Sequence, residues 1–390
     1  MKTIKKVDVK DKKVLIRADL NVSLNKDNNI SDDFRIKASL PTINYLREQR
    51  AKIILMSHLG RPNGKVEKSL RLDPVQKKLS QDLGILVKKI NDCIGFEALD
   101  ASKNLNSGEI LLLENLRFHL DEEKNDENFA RQLAELGDIY VNDAFGACHR
   151  AHASVVGITK FLPSYAGFLL HKEINVLSKI TETPARPLTV VLGGAKISTK
   201  IKLIQEFLGK ADNIILGGAL ANTALHAKGI AIGKSFFEEE MVIEVQKFDI
   251  TNTKMHMPVD AVVSTDRSGD KKKCRVAPIG NTKKDEMILD IGPDTEKLYD
   301  RIIQNSKTII WNGPMGLFEI KAFNHGTRAI AESIIRSSAF SVAGGGETIT
   351  FLNEVDLFNK FSHVSSGGGA MMEFLAGNRL PGLEALGYYD

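Results

Sequence analysis

The chain has 390 residues, of which 43% are hydrophobic and 26% are charged, and this composition excludes global disorder. At about 100–200 residues per domain, the length favours two large domains or three small ones. The net charge is only +4 and the basic residues are dispersed, which argues against a nucleic-acid partner. The three cysteines form no CxxC pair, and the sequence shows neither a signal peptide nor an apolar run long enough for a membrane span, so we expect a cytoplasmic protein.

Short apolar, β-branched runs alternate with helical patterns along the chain. Because these runs are apolar throughout rather than at alternate positions, they predict strands that are buried on both faces, as in parallel sheets. The expected fold class is therefore α/β, with parallel sheets flanked by helices. Strands are predicted at residues 14–16, 52–56, 110–113, 139–141, 188–192, 213–216, 261–263, 308–311 and 340–342.

Capping signals mark the ends of several predicted helices. Asp and Ser are preferred at a helix N-cap, proline fits the first turn, and glycine commonly follows the last turn. A helix at residues 172–180 is followed by a proline-containing break at 183–187, which predicts a domain boundary near residues 170–187. Three other helices are predicted from an N-cap residue and a terminating glycine. These pairs are Asp73 with Gly84, Asp126 with Gly137, and Ser198 with Gly209.

Polar and cationic residues follow the predicted strands in the first half of the chain. Ligands of an open parallel sheet bind outside the carboxyl ends of its strands, so these residues are candidates for a site. A single Arg or His is usually a solvated surface residue, but four strand ends of the same character predict a pocket for a small polyanion. The segments are residues 17–21, 57–61, 114–117, 142–146 and 149–152, together with Arg35.

The strand ends in the second half are glycine-rich instead. Glycine lets backbone N–H groups approach a phosphate, and a following helix N-terminus adds a favourable dipole. One glycine pair usually indicates a tight turn, whereas five such loops favour a nucleotide site. Lys200, in the first turn of the helix predicted after Ser198, is opposed by the helix dipole and is better explained if a phosphate neutralises it. The loops are residues 193–196, 217–219, 312–314, 344–348 and 365–369, the last preceding a helix predicted from Ala370.

Other known catalytic and binding motifs are incomplete in this sequence or absent from it. Residues 229–235 resemble a Walker A loop but are one residue short, since Lys228 stands where glycine is needed, and a surface turn is the better interpretation. No GxGxxG, HExxH or GxSxG motif is present in the sequence. Cys148, His149 and His152 lack a distant fourth partner and do not indicate a metal site.

Taken together, these segments match a known family. The sequence resembles the phosphoglycerate kinases over essentially its whole length, and the matching blocks occur in the family's order. They lie at residues 17–22, 57–62, 114–118, 142–146, 149–152, 193–196, 311–314, 318–319 and 344–346.

The resemblance implies two Rossmann-like lobes, each a parallel sheet flanked by helices, joined by a hinge helix. It places an N-terminal phosphoglycerate-binding domain at residues 1–172, to which residues 371–390 return, and a nucleotide-binding domain with the hinge helix at 173–370. It also implies the glycolytic reaction in which 1,3-bisphosphoglycerate and ADP give 3-phosphoglycerate and ATP, with Mg²⁺. A cytoplasmic monomer without a nucleic-acid or membrane partner is expected.

The resemblance also carries roles onto individual residues. Those expected to bind phosphoglycerate are Asp19, Leu20, Asn21, Arg35, His58, Leu59, Gly60, Arg61, Arg117 and Arg150. Those expected to bind the nucleotide are Lys200, Glu319, Gly345, Gly346, Glu347 and Thr348, with Glu347 also contacting the metal. Those expected to act on the transferred phosphoryl group are Arg35, Lys196, Gly368 and Gly369.

The sequence departs from the family's pattern at several positions. Ser23 stands where proline is usual, Ala147 and Cys148 stand for threonine and alanine, and Ser366 stands for threonine. Glu347 stands where the family typically carries an aspartate that contacts the nucleotide-bound metal. This change keeps the charge, but one extra methylene alters the reach of the carboxylate.

The chemistry needs positioning and charge rather than a general base. In the reverse direction the acceptor is a carboxylate, which is already ionised at pH 7 because such groups titrate near pH ~4. Arg35 and Lys196 are expected to lie across a shared cleft, with domain closure bringing the two substrates in line. Two alternatives are weaker. A nicotinamide-dependent dehydrogenase lacks its glycine fingerprint, and a polyanion-binding module is disfavoured by dispersed charges and 6% aromatic residues.

Overall fold

The structure, a computed structural model, describes residues 1–198, 200–247 and 252–390. It divides into two compact units. Unit 1 comprises Met1–Leu177, Gly369–Phe374 and Asn378–Asp390, and unit 2 comprises Ser178–Gly368 and Leu375–Gly377. The domain limits at residues 172/173 and 370/371 stay a prediction. None of the described helices is both long and apolar enough to cross a membrane.

Unit 1 is built on a parallel sheet with the strand order β5-β6-β4-β1-β7-β8, beside a short antiparallel pair, β2 and β3. Its strands are β1 (Lys13–Ala18), β2 (Ser23–Leu24), β3 (Ile30–Asp32), β4 (Lys52–Met56), β5 (Val87–Lys89), β6 (Ile110–Leu112), β7 (Ile139–Asp143) and β8 (Ser164–Ala166). Its helices are α1 (Phe34–Glu48), α2 (Asp73–Leu83), α3 (Gly95–Lys103), α4 (Leu120–Glu123) and α5 (Glu127–Ala134), and α6 (Phe168–Glu182) continues into unit 2.

Both faces of this sheet are covered by apolar side chains, which is why its central strands carry continuous apolar runs. Along β1, Val14 and Ile16 pack in one hydrophobic cluster, while Leu15 between them packs in another. On β4, Ile53 and Ile54 divide between the same two clusters. The continuous apolar runs therefore reflect burial on two faces, as predicted for a parallel sheet.

Unit 2 has a second parallel sheet, with the order β11-β10-β9-β15-β16-β17, and an antiparallel sheet, with the order β13-β12-β14. Its strands are β9 (Leu188–Leu192), β10 (Asn213–Leu216), β11 (Met255–His256), β12 (Asp260–Ser264), β13 (Cys274–Pro278), β14 (Met287–Ile291), β15 (Thr308–Asn312), β16 (Phe340–Gly344) and β17 (His363–Val364). The remaining helices are α7 (Ile201–Lys210), α8 (Gly218–Ala227), α9 (Val242–Gln246), α10 (Pro293–Gln304), α11 (His325–Arg336), α12 (Gly346–Glu354), α13 (Gly368–Ala376) and α14 (Pro381–Glu384).

The strand predicted at residues 261–263 is present but does not lie in a parallel sheet. It forms β12, which pairs antiparallel with β13 and β14. Ala261 and Val263 are buried against Ala277 of β13. Since an antiparallel strand in a buried position shows the same apolar run, the run alone does not distinguish the two kinds of sheet.

The predicted helix ends are confirmed in part. The Asp126 side chain accepts a hydrogen bond from the Phe129 N–H and caps α5, which ends at Ala134 rather than at Gly137. Gly84 has φ +64° and caps α2 at its C-terminus. The prediction of Asp73 as the N-cap of α2 is wrong, because Leu72 occupies that position and Asp73 begins the first turn.

The prediction of Ser198 as the N-cap of α7 is also wrong. The Ser198 hydroxyl donates to the Glu238 carboxylate (2.6 Å), and its backbone N–H donates to the other carboxylate oxygen (2.9 Å). A charge-assisted bond to a carboxylate is stronger than the neutral bond that capping would supply. Lys200 is the N-cap residue instead, and Gly209 lies inside the helix rather than beyond it.

Asp126→Ala is expected to lower the free energy of unfolding of unit 1 by about 1 kcal/mol, because it leaves the Phe129 N–H without its side-chain acceptor. Asp126→Asn is the matched control, since the amide oxygen still accepts this bond. Urea denaturation of the full chain measures both variants. Equal losses in the two variants would contradict the capping role.

Candidate active site

Four strand ends of the first sheet deliver polar and charged side chains to one edge of unit 1. Because β1, β4, β6 and β7 are parallel neighbours, their carboxyl ends lie together. Asp19 and Asn21 follow β1, and His58 follows β4. Arg117 lies in a short 3₁₀ helix after β6, and Arg150 lies beyond another 3₁₀ helix after β7. We call this group the cationic cluster, and it also includes Arg35, Arg17, His149 and His152.

Arg35 is held by the loop that follows β1. Its Nη1 donates to the Asn21 carbonyl oxygen (2.7 Å) and lies 3.4 Å from Asp19 Oδ1. The Asn21 side chain in turn accepts the Gly60 N–H (2.9 Å), so the loops after β1 and β4 are joined. Arg35 keeps 26% of its side chain exposed, which leaves part of the guanidinium available to a ligand.

Arg117 is nearly buried, with 5% of its surface exposed. Its Nη1 donates to the Gly60 carbonyl oxygen (2.8 Å), and its Nε lies 3.3 Å from Glu123 Oε1. Burial is the main cause that lowers the pKa of Arg117 to about 10, and the charge of Arg150 adds to it. The guanidinium is still charged at neutral pH, and a bound anion would relieve the cost of burying it.

The histidines of the cluster are held neutral. Burial, together with the charges of Arg17 and Arg117, holds the pKa of His58 well below its usual range. Burial and the same arginines lower the pKa of His152 to about 3, and burial lowers that of His149. The positive charges of the cluster therefore come from its arginines rather than from its histidines.

Arg17 is a member that sequence reasoning placed at a strand end without assigning it a role. It is fully buried in β1 and donates to Ser154 Oγ (2.9 Å) and to His58 Nδ1 (2.9 Å). Arginine only donates, so the His58 Nδ1 accepts and its Nε2 carries the proton. His58 thus presents an N–H donor in its neutral form. A charged residue within an otherwise apolar strand was the available signal.

The remaining predicted residues of this site differ in their exposure. Leu20 and Leu59 are buried core residues, so they contribute through the backbone rather than through their side chains. Arg150 is half-buried, and its Nε donates to His149 Nε2 (3.0 Å). Arg61, in contrast, is exposed and takes part in none of the hydrogen bonds described above.

The carboxyl ends of β9, β10, β15 and β16 bring the predicted glycine loops together in unit 2. Gly313 has φ +96°, and a Cβ there would lie 2.4 Å from the Gly193 carbonyl oxygen. Gly218 has φ +63°, and a Cβ there would lie 2.8 Å from the Gly194 backbone nitrogen. Only glycine permits both the conformation and the close approach at these two positions.

Lys200 anchors this group of loops. Its ammonium donates to the Gly193 carbonyl oxygen and lies 3.4 Å from that of Asn312. A Cβ on Gly194 would lie 3.2 Å from the Lys200 Nζ and 3.3 Å from Glu347 Oε2, so both charged groups border this glycine. Burial lowers the pKa of Lys200 to about 8, and the charge of Glu347 opposes this shift.

Helix α12 begins in the same place, and its first turn presents backbone N–H groups. Gly345 is its N-cap residue, and Gly346 and Glu347 of its first turn are exposed. The Thr348 hydroxyl accepts the Gly313 N–H (2.8 Å), so Thr348 joins two loops. A nine-residue helix with exposed N-terminal amides favours an anion.

A cavity of about 310 Å³ adjoins these loops. Gly194, Gly218 and Glu347 line one part of it, and apolar side chains from β14 and from the loop after β15 line another, including Leu289 and Met315. Sequence reasoning missed these apolar residues because β14 was not predicted. Also on the wall are Ala195, Asn222, Phe236, Arg267, Asp290, Phe318 and Glu319. The cavity suits a ligand with a flat apolar end and an anionic end.

The last predicted residues are Lys196, Gly368 and Gly369. Lys196 is exposed and follows Gly194 closely in the chain. Gly368 begins α13 and packs on the Gly345 loop, where a Cβ would lie 2.6 Å from the Gly345 Cα. Gly369 belongs to unit 1, where a Cβ would lie 3.9 Å from His149 Nε2.

Comparison with known proteins decides the family. A sequence model of the family described as phosphoglycerate kinase matches residues 4–378. The chain is 47% identical to the phosphoglycerate kinase of Moorella thermoacetica over 388 residues, covering 98% of each chain. The chain belongs to the phosphoglycerate kinase family.

Solved phosphoglycerate kinases share the fold. The structure from Coxiella burnetii has a TM-score of 0.84 at 40% identity and covers 99% of each chain. The structure from Pyrococcus horikoshii OT3 has a TM-score of 0.88 at 34% identity and covers 99% of this chain and 98% of that one. The predicted α/β fold of two Rossmann-like lobes is confirmed.

The predicted reaction is confirmed as well. As a phosphoglycerate kinase, the chain is a phosphotransferase with a carboxyl acceptor (EC 2.7.2.3). It transfers a phosphoryl group reversibly between 1,3-bisphosphoglycerate and ADP in glycolysis, giving 3-phosphoglycerate and ATP.

The wild type and Lys200→Met are expected to differ in the pH dependence of their stability. The pKa of Lys200 is about 8 in the folded protein and 10.5 as its ordinary value, so the unfolded chain binds this proton more tightly. The cost of burying the charged Lys200 ammonium therefore lowers the stability fully below about pH 8, and it disappears as the pH rises to 10.5. The free energy of unfolding of the wild type should therefore rise relative to the variant by at most about 3 kcal/mol over this range.

Urea denaturation of both proteins between pH 7 and pH 10.5 measures this difference. Lys202→Met, which removes an exposed lysine from the same helix, is the control and should follow the wild type. A difference that stays constant across the range would show that the Lys200 ammonium is not desolvated.

Proposed function

We propose that the cationic cluster of unit 1 binds the phosphoglycerate and that the glycine loops of unit 2 bind the nucleotide. The observation that carries this proposal is the separation of two chemistries. Unit 1 gathers several guanidinium groups around neutral histidines. Unit 2 gathers close-packed glycines, a lysine and a partly apolar cavity. A compact acid with two anionic groups suits the first, and a base bearing phosphates suits the second.

In unit 1, arginine forks bind the carboxylate and phosphate groups of the acid. Arg35, Arg117 and Arg150 supply the charge, and His58 adds its Nε2–H as a neutral donor. Asp19 and Asn21 hold Arg35 in place. The backbones of Leu20, Leu59 and Gly60 shape the loops, and Arg61 approaches from solvent.

In unit 2, Lys200 and the amides of Gly345, Gly346 and Thr348 bind the nucleotide phosphates. The apolar wall of the cavity holds the base, and Glu319, which is exposed on the same wall, accepts from the ribose hydroxyls. An anion bound here would stabilise the charged form of Lys200 and offset its desolvation.

Glu347 is the residue that fits a nucleotide-bound Mg²⁺. Its carboxylate is exposed at the N-terminus of α12 and borders Gly194 in the same loop group. Mg²⁺ is commonly held by one or two carboxylates together with substrate phosphates, and a single glutamate at the phosphate loops meets this pattern. When bound, the ion would neutralise part of the charge on the transferring phosphate.

The transfer itself requires charge stabilisation in line between the two substrates. In the direction of ATP synthesis, an oxygen of the ADP β-phosphate attacks the phosphorus of the acyl phosphate, a new P–O bond forms, and the bond to the carboxyl oxygen breaks. The leaving group is the carboxylate of 3-phosphoglycerate, so no protein base is needed. Arg35, Lys196 and the amides of Gly368 and Gly369 stabilise the phosphoryl oxygens during transfer.

The division of substrates between the units requires their approach. We propose that both ligands together favour a closed arrangement that brings Arg35 and Lys196 to the same phosphoryl group and excludes water. We further propose that the chain acts as a cytoplasmic monomer, with residues 1–172 and 371–390 forming the phosphoglycerate domain and residues 173–370 forming the nucleotide domain.

A coupled assay of ATP-dependent phosphorylation of 3-phosphoglycerate tests the proposed metal and sites together. Activity should require Mg²⁺. Glu347→Ala should raise the Mg²⁺ concentration for half-maximal activity by about tenfold or more, whereas Glu347→Asp should stay close to the wild type. An unchanged Mg²⁺ requirement in Glu347→Ala would remove Glu347 from the metal site.

Arg35→Ala is expected to lower kcat by about 10²–10³-fold, because it removes a positive donor from the transferring group. Lys37→Ala is the matched control, since Lys37 lies on the same helix with an exposed side chain and pairs only with Asp33 in the ion pairs described. Circular dichroism checks that both variants fold. Near-normal turnover in Arg35→Ala would contradict the proposed role.

A further inference from the structure

Three side chains that the phosphoryl-transfer chemistry does not use lie together in unit 1. Among the described residues, Asp92, Cys93 and His119 each offer one potential ligand atom, and these atoms all lie within 4.8 Å of one another. A carboxylate oxygen, a thiol sulfur and an imidazole nitrogen are the donor types that bind Zn²⁺ in proteins. The set is mixed, which distinguishes it from an ordinary surface cluster of carboxylates.

Two neighbouring strands of the first sheet bring these side chains together. β5 and β6 pair in parallel, so the loops that follow them leave the sheet at the same edge. Asp92 and Cys93 lie in the loop after β5, and His119 lies in the segment after β6. The Glu114 N–H donates to the Asp92 carbonyl oxygen (3.3 Å) and ties the two segments through their backbones. The ligand atoms are therefore positioned by the sheet.

The carboxylate is the centre of the group. Asp92 Oδ1 lies 2.7 Å from His119 Nε2 and accepts the Cys93 N–H at 2.7 Å. An ionised carboxylate only accepts, so Nε2 donates its proton to Asp92. A divalent ion can take the place of this proton, because the imidazole and the carboxylate already point at each other. Zn²⁺ makes bonds of about 2.0–2.2 Å to N and O ligands, so His119 Nε2 and Asp92 Oδ1 need to move apart only slightly to admit it.

The thiol of this group is buried, whereas its carboxylate and imidazole are partly exposed to solvent. Cys93 is 1% exposed, whereas the side chains of Asp92 and His119 are 48% and 28% exposed. An ion can enter past the carboxylate and imidazole, meet the sulfur behind them and keep one water on the solvent side.

We propose that Asp92, Cys93 and His119 bind a thiophilic divalent cation of the Zn²⁺ type, with one water as the fourth ligand. The ion forms bonds to Sγ, Nε2 and a carboxylate oxygen. The thiol proton leaves to solvent, and the imidazole binds through Nε2 as a neutral ligand that carries its single ring proton on Nδ1. The sulfur and nitrogen ligands of this site distinguish it from the Mg²⁺ site proposed at Glu347, where the ligands are oxygen atoms. Binding to the folded chain stabilises unit 1, so the site links the stability of this lobe to the availability of the metal.

Titration of the full chain with Co²⁺ tests the proposal, because a thiolate–Co²⁺ bond produces a charge-transfer absorption in the near ultraviolet. We expect this absorption to saturate at one Co²⁺ per chain. It should be absent in Cys93→Ser and retained in Cys274→Ser, which changes a cysteine outside the group. Zn²⁺ should displace Co²⁺, whereas excess Mg²⁺ should not, because Mg²⁺ prefers oxygen ligands.

His119→Gln is expected to weaken Co²⁺ binding by about tenfold or more and keeps the proposal testable if Cys93→Ser does not fold. Circular dichroism establishes which variants fold. The proposal is overturned if the wild type shows no thiolate absorption, if the absorption persists in Cys93→Ser, or if folded His119→Gln binds Co²⁺ as tightly as the wild type. Displacement of Co²⁺ by Mg²⁺ would also overturn it.

Discussion

A phosphoryl group moving between two oxygens carries negative charge that water would otherwise stabilise, so fixed positive groups must replace water around it. Both units place such groups at the carboxyl ends of parallel strands, where loops from neighbouring strands converge. In unit 1 the loops carry guanidinium groups held by backbone carbonyls, as for Arg117 on Gly60. In unit 2 they carry backbone amides and Lys200, held by the carbonyl of Gly193.

Much of this arrangement could be predicted because it depends on local patterns. The central strands of the first sheet carry continuous apolar runs, since successive residues of β1 and β4 pack into two different hydrophobic clusters. The residues after those strands then fall at one edge as a consequence of topology. Gly313 and Gly218 were identifiable as loop glycines, although the close contacts that require them depend on how separate loops pack.

The errors arose where a distant residue decided the local structure. Ser198 has the chemistry of a cap, but the Glu238 carboxylate, 40 residues away, takes its hydroxyl and its N–H. The antiparallel sheet was missed because β13 and β14 are partly exposed and β12 resembles a parallel strand. Because β14 was not predicted, the apolar residues that it contributes to the cavity wall, including Leu289, were missed as well. Arg17 was noted only as part of a strand end, since its role depends on His58 and Ser154 from other loops.

We propose that the acid and the nucleotide bind to different units, and that only their joint presence brings the charges of both units to one phosphoryl group. Small-angle X-ray scattering of the full chain tests this proposal. The radius of gyration should stay near that of the free protein with 3-phosphoglycerate alone or with MgADP alone and decrease when both are present. A scattering curve unchanged by the two ligands together, at concentrations that saturate both sites, would contradict the claim.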